Sequence, residues 1–124
     1  MVKVSYVKRW TRESVAADPE RIYLFGDNLK QRGFAGQACI RGLPNAIGIP
    51  TKKEPNTLSW AYMADKEYEG NCDCITQALA KIPADAHVVL PEDGLGTGLA
   101  QLPTRAPRTY AFLCEQIEKL KDTP

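Results

Sequence analysis

Arg21-Ile22-Tyr23-Leu24-Phe25-Gly26 is a short, nearly continuous apolar run stopped by a glycine, the pattern of a central strand buried on both faces. It feeds a polar, glycine-punctuated stretch, Asp27-Asn28-Leu29-Lys30-Gln31-Arg32-Gly33-Phe34-Ala35-Gly36-Gln37-Ala38. From there a helix is expected over about Ala35 to Arg41, closed by Gly42 and Pro44. Strand, glycine loop, helix is the unit from which open α/β sheets are built.

The same unit recurs near the other end. His87-Val88-Val89-Leu90 is a short apolar strand ending at Pro91, followed by Glu92-Asp93-Gly94-Leu95-Gly96-Thr97-Gly98-Leu99-Ala100. A final helix begins near Pro103 to Pro107 and runs past Leu120, with Tyr110, Leu113, Ile117 and Leu120 as its buried stripe. Between the two units, residues 46–51 form another strand and Lys52 to Asn56 a polar turn. Leu58 to Lys81 reads mostly as helix, broken near Gly70-Asn71, with Ile75, Ala78, Leu79 and Ile82 on one face of its second part. At the start, Val2 to Val7 alternates as a half-buried strand, and Thr11 caps a short helix ended by Asp18-Pro19. Strands alternating with helices predict one three-layer α/β/α domain over residues 1–124, its central sheet flanked by helices.

Composition narrows the function classes. Sixteen basic residues against fifteen acidic leave a net charge of +1, without the clustered basic excess that nucleic acid attracts. No apolar run approaches the ~20 residues that span a bilayer, and the N-terminus lacks the apolar segment of a signal peptide, so a cytoplasmic protein without a membrane partner is expected. Cys39, Cys72, Cys74 and Cys114 read as reduced thiols; with His87 the only histidine, no zinc spacing exists, and neither metal nor cofactor is assigned.

Chemistry therefore falls to the two loops. Glycine lets main-chain N–H groups approach a ligand, and successive N–H groups around a curved loop form a concave anion site. Taken singly, each loop could equally be a tight turn. Two in the same context favour one site of residues 32–37 and 94–99: Arg32, Gly33, Phe34, Ala35, Gly36, Gln37, Gly94, Leu95, Gly96, Thr97, Gly98 and Leu99. Neither loop is a Walker P-loop, since no Gly-Lys-Ser/Thr follows, and the dinucleotide fingerprint is absent after the first strand. Arg32 and Arg41 could each meet a phosphate through a planar fork or be ordinary surface charges.

Leu90-Pro91 followed by Gly96-Thr97-Gly98-Leu99-Ala100-Gln101-Leu102 resembles the P-x-I-G-x-G-L-x-x-L stretch of macrodomains of the ALC1-like branch, with two extra residues between Pro91 and Gly96. Arg32 to Ala38 resembles the Gly/Ala-rich loop of those domains, and Ile49-Pro50-Thr51-Lys52-Lys53 their strand ending in Thr-Lys. The order of the three motifs agrees, and with their flanking elements they span most of the chain from Ile22 onward. The resemblance implies a macrodomain-like fold with a mixed sheet, and an ADP-ribose cleft in which residues 33–38 and 94–99 clasp the diphosphate and distal ribose. Asp27 or Asn28 would then sit near a base or ribose hydroxyl, and Thr51 and Lys52 would line the same ligand site. Branch members that remove ADP-ribose from carboxylates pair a lysine with an aspartate; here the lysine is Lys52, but the aspartate position is Ala100, leaving Asp93 or Asp27 as substitutes. The first reading is thus a module that binds ADP-ribose or a related diphosphate nucleotide, sequestering or sensing it. An ADP-ribosyl hydrolase acting on ADP-ribosylated protein and a protein-interaction module are the alternatives.

Overall fold

The computed structural model describes residues 2–121. Four strands, β1 (Lys3–Val7), β2 (Arg21–Asn28), β3 (Ala46–Lys52) and β4 (His87–Pro91), make one sheet in the order β1-β4-β2-β3. Every pairing between them is parallel, which corrects the expected mixed sheet. The reason lies in the connections: a helical segment follows each of the first three strands, so the chain returns to the same end before the next strand starts. Among the described residues, the one antiparallel contact is an isolated bridge between Lys52 and Tyr62.

This topology decides where the loops go. With all strands parallel, their carboxyl ends share one edge of the sheet, where ligands bind in open α/β folds. Because β4 inserts beside β2, the loops leaving those two strands emerge as neighbours.

Alternation along the strands divides the core in two. Tyr23, Phe25 and Val89 pack with Val15 of α1 (Arg12–Ala16) and with Ile40 of a single 3-10 turn at Gly36–Ile40. Leu24, Ile49, Val88 and Leu90 pack with Ile75 and Ala78 of α2 (Tyr68–Leu79), Leu102 of α3 (Leu102–Arg105) and Leu113 of α4 (Pro107–Lys121). Thr11 caps α1 in a reciprocal box with Ser14, each side chain bonded to the other's main-chain N–H. His87 meets Ser5 Oγ across β1 and β4, a structural contact.

Several boundaries differ from the sequence reading. β2 does not stop at Gly26 but pairs with β3 as far as Asn28. The expected helix over 35–41 is only the short 3-10 turn. Residues 58–67 are not one helix, because Lys53 and Glu54 donate their N–H groups to Ala61 O and so fold that segment back against β3. Gly70 and Asn71 lie inside α2 instead of breaking it; the buried Asn71 amide donates to Ala64 O and Thr109 Oγ1, anchoring the helix from its flank. The C-terminal helix splits at Ala106, whose φ of −145° is extended because the residue before Pro107 is driven from the helical region. Asp65 then caps α4, accepting from Arg108 N and Thr109 N at 2.9 and 3.0 Å. All four cysteines are free thiols.

Candidate functional site

The loop after β2 is held by two polar residues at the strand's end. Asn28 closes it, donating from Nδ2 to Arg32 O at 2.9 Å. Asp27 makes a 2.6 Å ion pair with Arg41, most of both side chains out of water. Arg41 also donates to Gly33 O and Arg32 O and lies against the Phe25 ring. Its fork is therefore occupied by the protein, and it serves the loop rather than a ligand. Asp27 is committed likewise, and its side chain has room only because residue 48 is glycine: a Cβ there would come within 2.9 Å of Asp27 Cβ.

The loop after β4 is anchored from beneath. Leu95 is buried in the apolar core, and Thr97 Oγ1 donates to Asp93 O at 2.6 Å. Gly96, at φ +76°, crosses directly over Thr51; a Cβ would lie 3.0 Å from Thr51 Cβ and 3.1 Å from Leu102 Cβ. Only glycine meets both the backbone angle and the close approach.

One side chain joins the loops. The Gln37 amide accepts from Gly26 N at 2.9 Å and donates to Gly94 O at 3.2 Å. The main-chain carbonyl of Gln37 accepts from the Trp10 indole, and that ring packs edge-on against Tyr23. Gln37 is thus a strut that fixes the separation of the two loops.

Between them lies a cavity of about 270 Å³ whose lining includes Gly26, Gly36, Gln37, Thr51, Gly96 and Leu99. Among the described residues, no main-chain N–H from 33 to 37 or from 95 to 100 donates to a protein acceptor. Unpaired donors from two sides of one cleft suit an anion. The cleft continues at one end into a lobe lined by Asp27, Asn28, Arg32 and Lys52, and at the other into one lined by Lys8, Arg9, Trp10 and Asp93. Phe34 and Leu99, 63% and 76% exposed, stand one on each loop.

Lys52 ends β3 and makes no ion pair among the described residues, whereas neighbouring Lys53 pairs with Glu67. The Lys52 ammonium lies 4.6 Å from the Tyr62 ring centroid. Burial pushes it below the ordinary lysine range, and the charge of Arg105 adds to the effect. Asp93 is exposed and lines the opposite lobe, so the structure does not bring it to Lys52. Ala100 lines the cleft without a carboxylate.

Sequence reasoning missed Gly26, Trp10, Tyr62 and Arg105. The first two carry no signal of their own, because their roles come from Gln37, which is 11 and 27 residues away in the chain. Tyr62 and Arg105 meet Lys52 through the fold-back of residues 53–62 and the short helix α3, which no periodicity announces.

A model described as a family of unknown function, DUF7831, matches residues 5–116. Neither curated proteins nor solved structures yield a match.

Proposed function

The chain belongs to DUF7831, a family of unknown function, and from that premise we propose that it binds ADP-ribose or a closely related diphosphate nucleotide in the cleft between its two glycine loops. The observation that carries the proposal is the pair of facing loops with unpaired N–H groups, held at a set distance by Gln37. A diphosphate fills such a cradle with acceptors on both sides. Its charge also meets Arg32 and Lys52 in one lobe and Lys8 and Arg9 in the other. The adenosine end lies toward Asn28, with Phe34 and Leu99 supplying apolar surface at the mouth.

A macrodomain-like arrangement, with helices on both faces of the sheet and the ligand at the strands' carboxyl ends, belongs to the same proposal. So does the role: the module captures the nucleotide, free or attached to a protein, without turning it over. Lys52 and Asp93 face separate lobes, and residue 100 is alanine, which favours capture over hydrolysis.

Calorimetry with ADP-ribose tests the reading. Saturable binding is expected in the wild type and its loss in Gly96→Val, with circular dichroism confirming that the variant is folded. No heat at about 1 mM ligand, where even a matching Kd represents only about 4 kcal/mol, overturns the proposal. Release of ADP-ribose from a modified protein by the wild type, abolished in Lys52→Ala, would replace binding with hydrolysis.

A further inference from the structure

Two cations share one aromatic ring beside the cleft. The Arg105 guanidinium carbon lies 3.8 Å from the Tyr62 ring centroid, and Lys52 Nζ lies 4.6 Å from the same centroid. Tyr62 is itself buried, held by its bridge to Lys52. Among the described residues no carboxylate pairs with either cation: the one polar partner of Arg105 is the neutral Gln101 side chain, and the nearby Asp27 carboxylate is taken by Arg41. The chain supplies acids readily elsewhere, with Glu67 against Lys53 one residue away. Like charges gathered on one ring without a counterion repel each other, and a bound anion relieves that repulsion.

We propose that Lys52 and Arg105, seated on Tyr62, form a subsite for a phosphate monoester, so that the preferred ligand carries one phosphate besides its diphosphate. Lys52 reaches the lobe it lines with Asn28 and Arg32, on the side proposed for the adenosine end. Arg105 ends the single-turn helix α3, which follows the glycine loop whose Leu99 and Ala100 line the same lobe. A planar guanidinium and a compact ammonium together suit a dianionic tetrahedral group. The proton affinity of Lys52 is lowered first by burial and then by the charge of Arg105, and a bound anion would offset both.

The ligand assignment rests on the nucleotide reading; the anion subsite does not, and two probes separate them. The first is inorganic phosphate, followed by NMR of the lysine side chains. Phosphate is expected to shift the Lys52 signal and raise its titration midpoint in the wild type, with both effects at least about 5-fold weaker in Arg105→Gln. An equal response in both proteins, or none, overturns the subsite. The second probe is calorimetry of ADP-ribose against ADP-ribose carrying a 2′-phosphate. At least about 10-fold tighter binding of the phosphorylated ligand is expected in the wild type, reduced to within about 2-fold in Arg105→Gln. Equal affinities in the wild type overturn the ligand preference while leaving the nucleotide reading standing. Failure of both nucleotides to bind, with the phosphate response intact, removes the nucleotide reading and keeps the anion subsite.

Discussion

Replacing Gln37 by leucine removes the strut between the loops without changing the local volume much. Two hydrogen bonds are lost, from Gly26 N and to Gly94 O, at 2.9 and 3.2 Å. Each contributes about 1 kcal/mol net at a half-buried site, where water partly replaces the lost partner. The variant is therefore expected to lose about 2 kcal/mol, a drop in Tm on the order of 8 °C for a domain of this size. The effect on ligand binding is expected to be larger in proportion, because two loops whose separation varies must be ordered by the ligand itself. Gln37→Glu refines the test. It keeps an acceptor for Gly26 N but turns a carboxylate oxygen toward the Gly94 carbonyl, so it is expected to fall between wild type and leucine in stability. Thermal unfolding by circular dichroism reads the first quantity, and calorimetry with ADP-ribose the second. A leucine variant melting within about 1 °C of wild type with unchanged affinity refutes the idea that this side chain sets the cleft.

Substitutions at four further positions probe the structure, three in the frame of the site and one at the cap of α4. Gly96→Ala is expected to cost about 3 kcal/mol, from positive φ and from contacts at 3.0 and 3.1 Å with buried neighbours. Gly98→Ala, with open space around it, is expected to stay within about 0.5 kcal/mol by denaturant titration. Arg41→Ala strands the Asp27 carboxylate and releases two loop carbonyls, for an expected loss of about 3 kcal/mol, and Arg41→Lys restores only part of it because the fork is gone. Asp65 is partly desolvated, which opposes its charge, but hydrogen bonds from Arg108 and Thr109 prevail and hold its carboxyl below the usual carboxylate range. A depressed folded-state pKa contributes stability that is present above the ordinary value near 4 and lost as pH falls through the folded value. Melting temperatures of wild type and Asp65→Ala should accordingly differ at pH 7 and converge toward pH 2.

The order of elements was legible because each rests on local chemistry. The apolar run at 21–25, the Thr11 cap and the stripe Ile75–Ala78 are set by residues within a turn or two of one another. The parallel sheet was not, since strand direction is fixed by which ends the crossovers connect and not by any residue in a strand. Gly26 looked like a stop signal, yet it continues a strand where Gln37 and Thr51 crowd its backbone. The loops themselves stood out through their glycines. What binds them together did not: Gln37 resembles any polar loop residue, and Arg41 and Asp27 are 14 positions apart with nothing to mark them as partners. The residues most informative about charge, Tyr62 and Arg105, are brought to Lys52 only by tertiary packing.

The most direct measurement is a two-dimensional amide NMR titration with ADP-ribose. The largest shifts are expected at the N–H groups of residues 33–37 and 95–100, with the helical amides of α2 and α4 little changed. Saturating shifts confined to some other surface, or none from either loop, would contradict a ligand site between the loops.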